Sequence, residues 1–420
     1  MKPFPSVITS SLSLPEGVHL HPDGLIVEGG DITLNGNGAH LIGQDKQGRG
    51  ISVRNARDIT IENIHISNYH HGIYVENCEH VRILNCTIRQ TGEIEANTVF
   101  LDIWLTADRT YGGAIILRDV KHATITGNDL QHQMCGLLSY ECEGLNVRGN
   151  NASYNSGFGF HLFGTRDSRF ENNYADYCNR WQPRDSGGHL GADASGFLLV
   201  GGSSDNVFRD NFARLGGDGF FISGLSHAGE YAPCNNNLFE GNDVSHSPNN
   251  GFESTFSAGN VFRGNNVTNC NYGFWLGFSK SNTLENNQIK ANRSAGLAVE
   301  NGFDFTIRKN EFTDNRYGVL AWSKYIAQFA AALPENNTSY NWRVEDNRFT
   351  RNHTGVRIAA NQNHGIQPHA PSEDCPAPHD HRIEHNEFID NQIAVEVEGA
   401  NTMTISDNHY TGARQINLVE

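Results

Sequence analysis

An asparagine recurs in this chain about every 22 residues, each time two positions ahead of an apolar residue. The series runs Asn128, Asn150, Asn173, Asn211, Asn242, Asn265, Asn287, Asn310, Asn347, Asn386 and Asn408, and its longer steps read as one unit plus an insertion. A glycine opens an apolar stretch at a matching interval: Gly72, Gly113, Gly136, Gly159, Gly196, Gly219, Gly251, Gly273, Gly296, Gly318 and Gly355. A fixed period of this length marks a solenoid, whose units bury their apolar faces by stacking on their neighbours. Within a unit the apolar residues alternate, as in Val81-Arg82-Ile83 and Ala123-Thr124-Ile125. Alternation means strands with one buried face. A unit this short cannot hold two helices and a turn, but fits three short strands and three turns. The expected fold is therefore all-β, a parallel β-helix of about 12–13 coils. Only Tyr325–Leu333 reads as a short helix. Asn suits the corners because it tolerates the left-handed backbone region. Stacked at about 4.8 Å, the strand spacing, its amides can bond to the copies above and below. Ile64 and Cys86 occupy the ladder position in the first units, so the ladder is expected to begin at Asn128.

The stretch Ile32-Thr33-Leu34-Asn35-Gly36-Asn37-Gly38, with the coils that follow, resembles the right-handed parallel β-helix superfamily. That superfamily includes polysaccharide lyases, glycoside hydrolases, uronate epimerases and periplasmic proteins of the copper-insertion type. The resemblance covers nearly the whole chain and implies a right-handed solenoid with a groove for an extended sugar chain. Scaffold alone does not fix the chemistry.

The unbroken repeat argues for one elongated domain over residues 1–420, with residues 1–22 capping the first coil and the strands near Ile416–Val419 closing the other end. The formal charge is −16 and most of the cations are Arg, which argues against a phosphate-binding surface and hence against a nucleic-acid partner. The eight cysteines form no Cys-x-x-Cys pair. Free thiols suit a reducing compartment, and the N-terminal residues carry no apolar run of secretion-signal length, so a cytoplasmic location is expected. No stretch approaches membrane-spanning length, and no membrane partner is expected. His364, His369, His379, His381 and His385 lack tight ligand spacing and read as solvated loop histidines, so neither a metal nor a cofactor is expected. Oligomeric state is not legible.

Aligning the units puts the extra residues at 93–112, 181–195, 225–235, 324–339 and 361–379, flanking one strand column on its two edges. Such loops would wall a groove whose floor is that sheet. The floor's outward residues come in two rows. One runs Tyr74, Ile115, Leu138, His161, Leu198, Phe221, Glu253, Trp275, Ala298, Leu320, Arg357, and the other Glu76, Leu117, Tyr140, Phe163, Val200, Ser223, Thr255, Gly277, Glu300, Trp322, Ala359. These rows are too apolar for an ordinary solvent face, which marks a binding site or a covered interface. Beside the two long insertions 93–112 and 181–195, covering by loops is the plainer expectation. Tyr140, Phe221, Trp275 and Trp322 are candidate platforms for sugar rings.

Glu253 stands alone among apolar neighbours, a setting that raises a carboxyl pKa toward that of a general acid. Asp218 lies one unit earlier in sequence, in the Gly216-Gly217-Asp218-Gly219 turn, and Asp193 offers a third carboxylate. These three are the catalytic candidates, and the expected spacing of Asp218 and Glu253 is compatible with an inverting glycosidase. His161, Arg184, His189, Glu300 and Arg357 join the aromatic residues as substrate-binding candidates. The leading reading is cleavage or transfer of a glycosidic bond in an oligo- or polysaccharide. The alternatives are elimination or epimerisation of a uronate, and a non-enzymatic sugar-binding or scaffold role.

Overall fold

The computed structural model describes residues 5–95, 100–182, 189–190, 194–370, 375–412 and 414–419. The chain forms a right-handed parallel β-helix and divides into two compact units, residues 1–218 and 219–420.

In the first unit the segment expected to act as a cap is itself a coil. Its strands Val7–Ile8, Leu12–Ser13 and Val18–Leu20 pair in parallel with Leu25–Val27, Ile32–Asn35 and His40–Ile42. The front sheet, the one expected to floor the groove, continues through Arg49–Arg54, His71–Leu84, Gly113–Lys121, Cys135–Tyr140, Phe158–Phe163 and Ser195–Val200. Its interior is filled by stacked rings, including Phe160 on Phe197 and Phe170 on Phe208, with centroids 4.7 and 5.2 Å apart. Stacking follows from the repeat: equivalent residues of successive coils lie one strand spacing apart, close to the offset-stacked distance of aromatic pairs.

The second unit repeats the plan. Its front sheet contains Asn250–Thr255, Tyr272–Trp275, Ala295–Glu300, Tyr317–Trp322, Thr354–Ala359 and Ile393–Glu398, all parallel. Phe220, Phe252 and Phe274 form one stack inside it, and Phe312, Phe349, Phe388 and Tyr410 another. The expected helix is present at Ala327–Ala332. Phe329 on that helix packs against Phe256 and Phe278 at 5.0 and 4.7 Å, which pins the 324–339 insertion to the coil corner.

The asparagine ladder begins at Asn128, whose Oδ1 accepts the Cys86 N–H at 2.9 Å. It runs through Asn150 and Asn173 to Asn211 in the first unit. In the second it runs from Asn242 to Asn408. Each side-chain carbonyl accepts both the backbone and the side-chain N–H of the copy one coil earlier, as Asn287 does from Asn265 at 2.9 and 3.0 Å. The backbone role differs from expectation. The left-handed residue is the one before each ladder Asn, such as Gly127, Gly149, Asn172, Asn286 and Asp346. The ladder Asn turns its amide inward, and its predecessor makes the corner. A second ladder of the same kind, Asn292-Asn315-Asn352-Asn391, runs five residues on.

One register also differs. Gly113 pairs with His71 rather than Gly72, so Ile115 and Leu117 face the interior, while Ile116 and Arg118 take the outward places beside Tyr74 and Glu76. The 93–112 insertion rejoins the sheet one residue earlier than an equal-length alignment implies.

Candidate functional site

The outward rows differ between the units. In the first unit residues 100–112 of the insertion lie on the front sheet and bury Leu101, Ile103 and Leu105. Trp104 meets Phe163 edge-on at 6.0 Å. Beneath this layer Ile116, Leu138, Tyr140, His161, Leu198 and Val200 are all buried. The floor is thus a second apolar core here, the covering expected beside the long insertions. Tyr140 is no sugar platform, because its ring is sealed against His161 and Phe163. His161 is held neutral, its pKa pushed down to about 3 by burial, with Nδ1 3.5 Å from the Tyr140 hydroxyl. Arg184 and Asp193 lie outside the described residues, and of His189 only the backbone is described, in a short pairing of His189–Leu190 with Trp181–Gln182. Asp218, expected at a groove edge, is fully buried at the last position of the first unit, its N–H bonded to Ala194 O at 3.1 Å.

In the second unit the front sheet is covered at one end and half open at the other. The hairpin formed by Gln362–Asn363 and Gln367–Pro368 brings Gly365 down onto the sheet. Its backbone sits so close to Leu320 and Trp322 that a Cβ there would lie 2.9 Å from both side chains. Trp322 is therefore fully buried and corrects the expectation of a platform. Arg357 is also consumed. It donates to Gly365 O at 3.1 Å and pairs with Glu396 at 2.8 Å and Glu398 at 2.6 Å. Its guanidinium is saturated within the fold, not presented to a ligand. His381, expected in solvent, lies fully buried against Trp342 with Nε2 3.1 Å from Ser339 O, and burial lowers its pKa to about 3. It sits on the inner side of a coil turn, a placement its loop-like sequence context hides.

Phe221, Glu253 and Trp275 remain half-buried, in register on adjacent strands. The neighbouring sheet shows what an ordinary outward face looks like: Glu285 bridges Arg263 and Arg308 at 2.5 and 2.6 Å. Among the described residues Glu253 has no such cation. Its Oε2 accepts a 2.7 Å hydrogen bond from Asn250 Nδ2. Burial pushes its pKa up to about 7, against the opposing pull of that bond. Trp275 stands one strand away, edge-on to Tyr272 at 4.8 Å, with Trp322 at 5.5 Å beneath and the exposed His364 at 6.3 Å. Glu300 lies two strands from Glu253 and two residues along, roughly 12 Å between Cα atoms from strand geometry. It is buried, and its carboxyl is likewise pushed up to about 7 by desolvation, with Lys324 and Trp322 pulling the other way. The second unit thus holds two carboxyl groups poised to be protonated near neutrality on one aromatic face. Asn250, Tyr272 and His364 were not anticipated. Asn250 and Tyr272 directly precede the repeat glycines, and that position carries the available signal.

Comparison with known proteins fits this architecture. Residues 193–333 and 222–364 match the family model described as right handed beta helix region. Residues 24–177 match that of the periplasmic copper-binding protein NosD. Together the two matches support a right-handed parallel β-helix superfamily. A search of curated proteins returned no match. Among solved structures, the protein is similar to the A-module of the mannuronan C-5 epimerase AlgE6 of Azotobacter vinelandii, at 14% identity over 97% of this chain and 91% of that one, with a TM-score of 0.38. A mutant of the periplasmic alginate epimerase AlgG aligns at 10% identity over 98% and 85%, with a TM-score of 0.44. The catalytic domain of a GH87 α-1,3-glucanase aligns at 12% over 96% and 65%, with a TM-score of 0.48. Likenesses this distant concern the scaffold only.

The NosD match overturns the cytoplasmic expectation and points to an extracytoplasmic location. The cysteine argument failed for a physical reason. All eight thiols are free and buried, and burial pushes Cys86, Cys135, Cys142 and Cys178 up to about 12. Thiols sealed inside coils stay unpaired in either compartment. Among the described residues no group of three or more His, Cys, Asp or Glu is arranged to hold a metal ion, so they do not fit the copper role in that family's description.

Proposed function

We propose that this β-helix protein is a carbohydrate-active enzyme that cleaves or transfers a glycosidic bond, with the saccharide lying on the half-open front face of the second unit. The observation that carries the reading is Glu253: a carboxyl raised to about 7 by burial, held by Asn250, between the aromatic rings of Phe221 and Trp275. A general acid for glycoside cleavage must be protonated at working pH and still deliver its proton to a leaving oxygen. Glu253 meets the first condition through desolvation and the second through its partial exposure. Trp275, half-buried beside Glu253, is the candidate platform for a pyranose C–H face, and Asn250 holds the carboxyl in place. Glu300 is the second carboxyl on the same face and the candidate for the complementary role.

Elimination or epimerisation of a uronate is disfavoured at this face. That chemistry needs a cation to neutralise the substrate carboxylate; Arg357 is already paired with Glu396 and Glu398, and Lys324 is hydrogen-bonded to Asn363 at 2.8 Å and acts on Glu300. The test is a panel of neutral and uronate oligosaccharides, following both new reducing ends and the ultraviolet absorbance of unsaturated uronate products. Reducing ends without that absorbance, abolished by Glu253→Gln, support the reading. Unsaturated products, or undiminished turnover in the variant, reject it.

A further inference from the structure

The first unit carries a hollow on the sheet beside the front one, and nothing about it depends on Glu253. Arg82 stands there, on the strand His71–Leu84. Its in-register neighbours are Thr60 on the preceding coil and Thr124 on the following one. Elsewhere on this sheet an outward arginine meets a carboxylate one strand away, as Arg209 meets Glu171 at 3.7 Å and Arg263 meets Glu285 at 2.5 Å. Arg82 has threonines in those places, and among the described residues it makes no ion pair and no hydrogen bond. His80 and His122, each two residues ahead of that row, stack on adjacent coils with ring centroids 5.4 Å apart. All five residues line one hollow of about 470 Å³, within the size range of small-ligand sites.

The charge of the lining selects its occupant. Asp58 is the one carboxylate among the lining residues, and Arg57 takes its charge at 3.0 Å. Glu79 lies 3.5 Å from His80 Nε2 but lines a different hollow. What remains is one unbalanced guanidinium, two hydroxyl groups and two imidazole rings. Each of these groups donates hydrogen bonds, and an anion beside Arg82 would gain a charge-assisted one. The donors come from three successive coils, so they approach from several directions. A planar carboxylate presents two oxygens in one plane, whereas a tetrahedral oxyanion presents oxygens toward every coil. The formal charge of −16 opposes a long polyanion, so the hollow suits a single group. We infer that it binds one phosphate group, with Arg82 as the anchor and Thr60, Thr124, His80 and His122 as further donors.

Isothermal titration calorimetry on the full chain tests this, with inorganic phosphate as the probe in chloride buffer of fixed ionic strength. Saturable binding of one phosphate per chain is expected. Arg82→Met is expected to weaken it about ten- to hundredfold, the range of a charge-assisted hydrogen bond. Replacing both threonines, Thr60→Val with Thr124→Val, is expected to weaken it about fivefold or more. Arg148→Met removes an arginine from the same sheet outside the hollow and is expected to bind like wild type, as is Glu253→Gln. Unchanged melting temperatures in the variants show that the fold survives. Flotation with phosphatidylcholine vesicles containing phosphatidic acid distinguishes the source of the group. Capture that Arg82→Met abolishes assigns a lipid headgroup, and phosphate binding without capture assigns the free ion or a soluble ester. No saturable phosphate binding, undiminished binding in Arg82→Met, or an equal loss in Arg148→Met overturns the inference and leaves the reading of Glu253 untouched.

Discussion

Replacing Glu253 by Gln changes how stability depends on pH, and the size of the change follows from the site. The ordinary value of the carboxyl, 4.5, is raised to about 7 in the folded chain. Every tenfold change in proton affinity is worth about 1.4 kcal/mol, so the difference between the folded and unfolded states reaches about 3 kcal/mol. The sign is fixed by linkage. Below the unfolded pKa both states are protonated, and the buried neutral acid costs nothing in charge desolvation. Between 4.5 and about 7 the unfolded chain ionises first, and wild-type stability falls as pH rises through the folded pKa. The Gln side chain has no charge to desolvate and still accepts the Asn250 hydrogen bond. Stability of Glu253→Gln relative to wild type should therefore rise by about 3 kcal/mol from pH 4 to pH 8. Urea unfolding followed by tryptophan fluorescence at several pH values measures this directly. A stability difference that stays flat within about 0.5 kcal/mol across that range would refute the reasoning, because Glu253 would then titrate as a solvated carboxyl.

Other perturbations test the scaffold around that face. In Asn287→Ala four side-chain hydrogen bonds disappear, to Asn265 N, Asn265 Nδ2, Phe262 O and Asn310 Oδ1. At about 1 kcal/mol each the loss is about 4 kcal/mol in urea unfolding, and a loss below about 1 kcal/mol contradicts the ladder's role. Arg357→Met strands Glu396 and Glu398 on the covered end of the front sheet and should cost about 3 kcal/mol. Adding Glu396→Gln and Glu398→Gln should recover most of that cost, and no recovery would refute the ion-pair account. A disulfide reagent should leave the native protein unmodified and titrate all eight cysteines after unfolding in urea, since every thiol is buried. Rapid modification of any thiol in the native state would contradict that placement.

The scaffold was legible because its constraint is local and repeated. One asparagine per coil, spaced by the circumference of a coil, states both the period and the hydrogen-bonded stack seen at Asn265, Asn287 and Asn310. The second stack was equally visible, since Asn292, Asn315, Asn352 and Asn391 each follow a ladder residue by five positions. The corner residue was misassigned because Asn suits both tasks. Only the backbone shows that Asn286, not Asn287, takes the left-handed turn. Which residues face outward also followed from alternation, except at Gly113, where the returning insertion shifts the pairing by one. Whether an outward residue stays open did not follow. That depends on where a long insertion lies down, a long-range outcome with no periodic signal. Trp322 and Trp275 occupy comparable outward positions, yet Gly365 settles over the first and leaves the second half open. For the same reason Tyr140 and His161 vanish beneath Ile103 and Trp104 while Glu253 stays accessible.

The pH dependence of kcat/KM on whichever saccharide is turned over examines the role of Glu253 most directly. A proton donor with a free-enzyme pKa of about 7 predicts activity that declines tenfold per pH unit above that value, with Glu253→Gln inactive throughout. A profile with no decline near pH 7, or a Glu253→Gln enzyme with the wild-type rate, would contradict it.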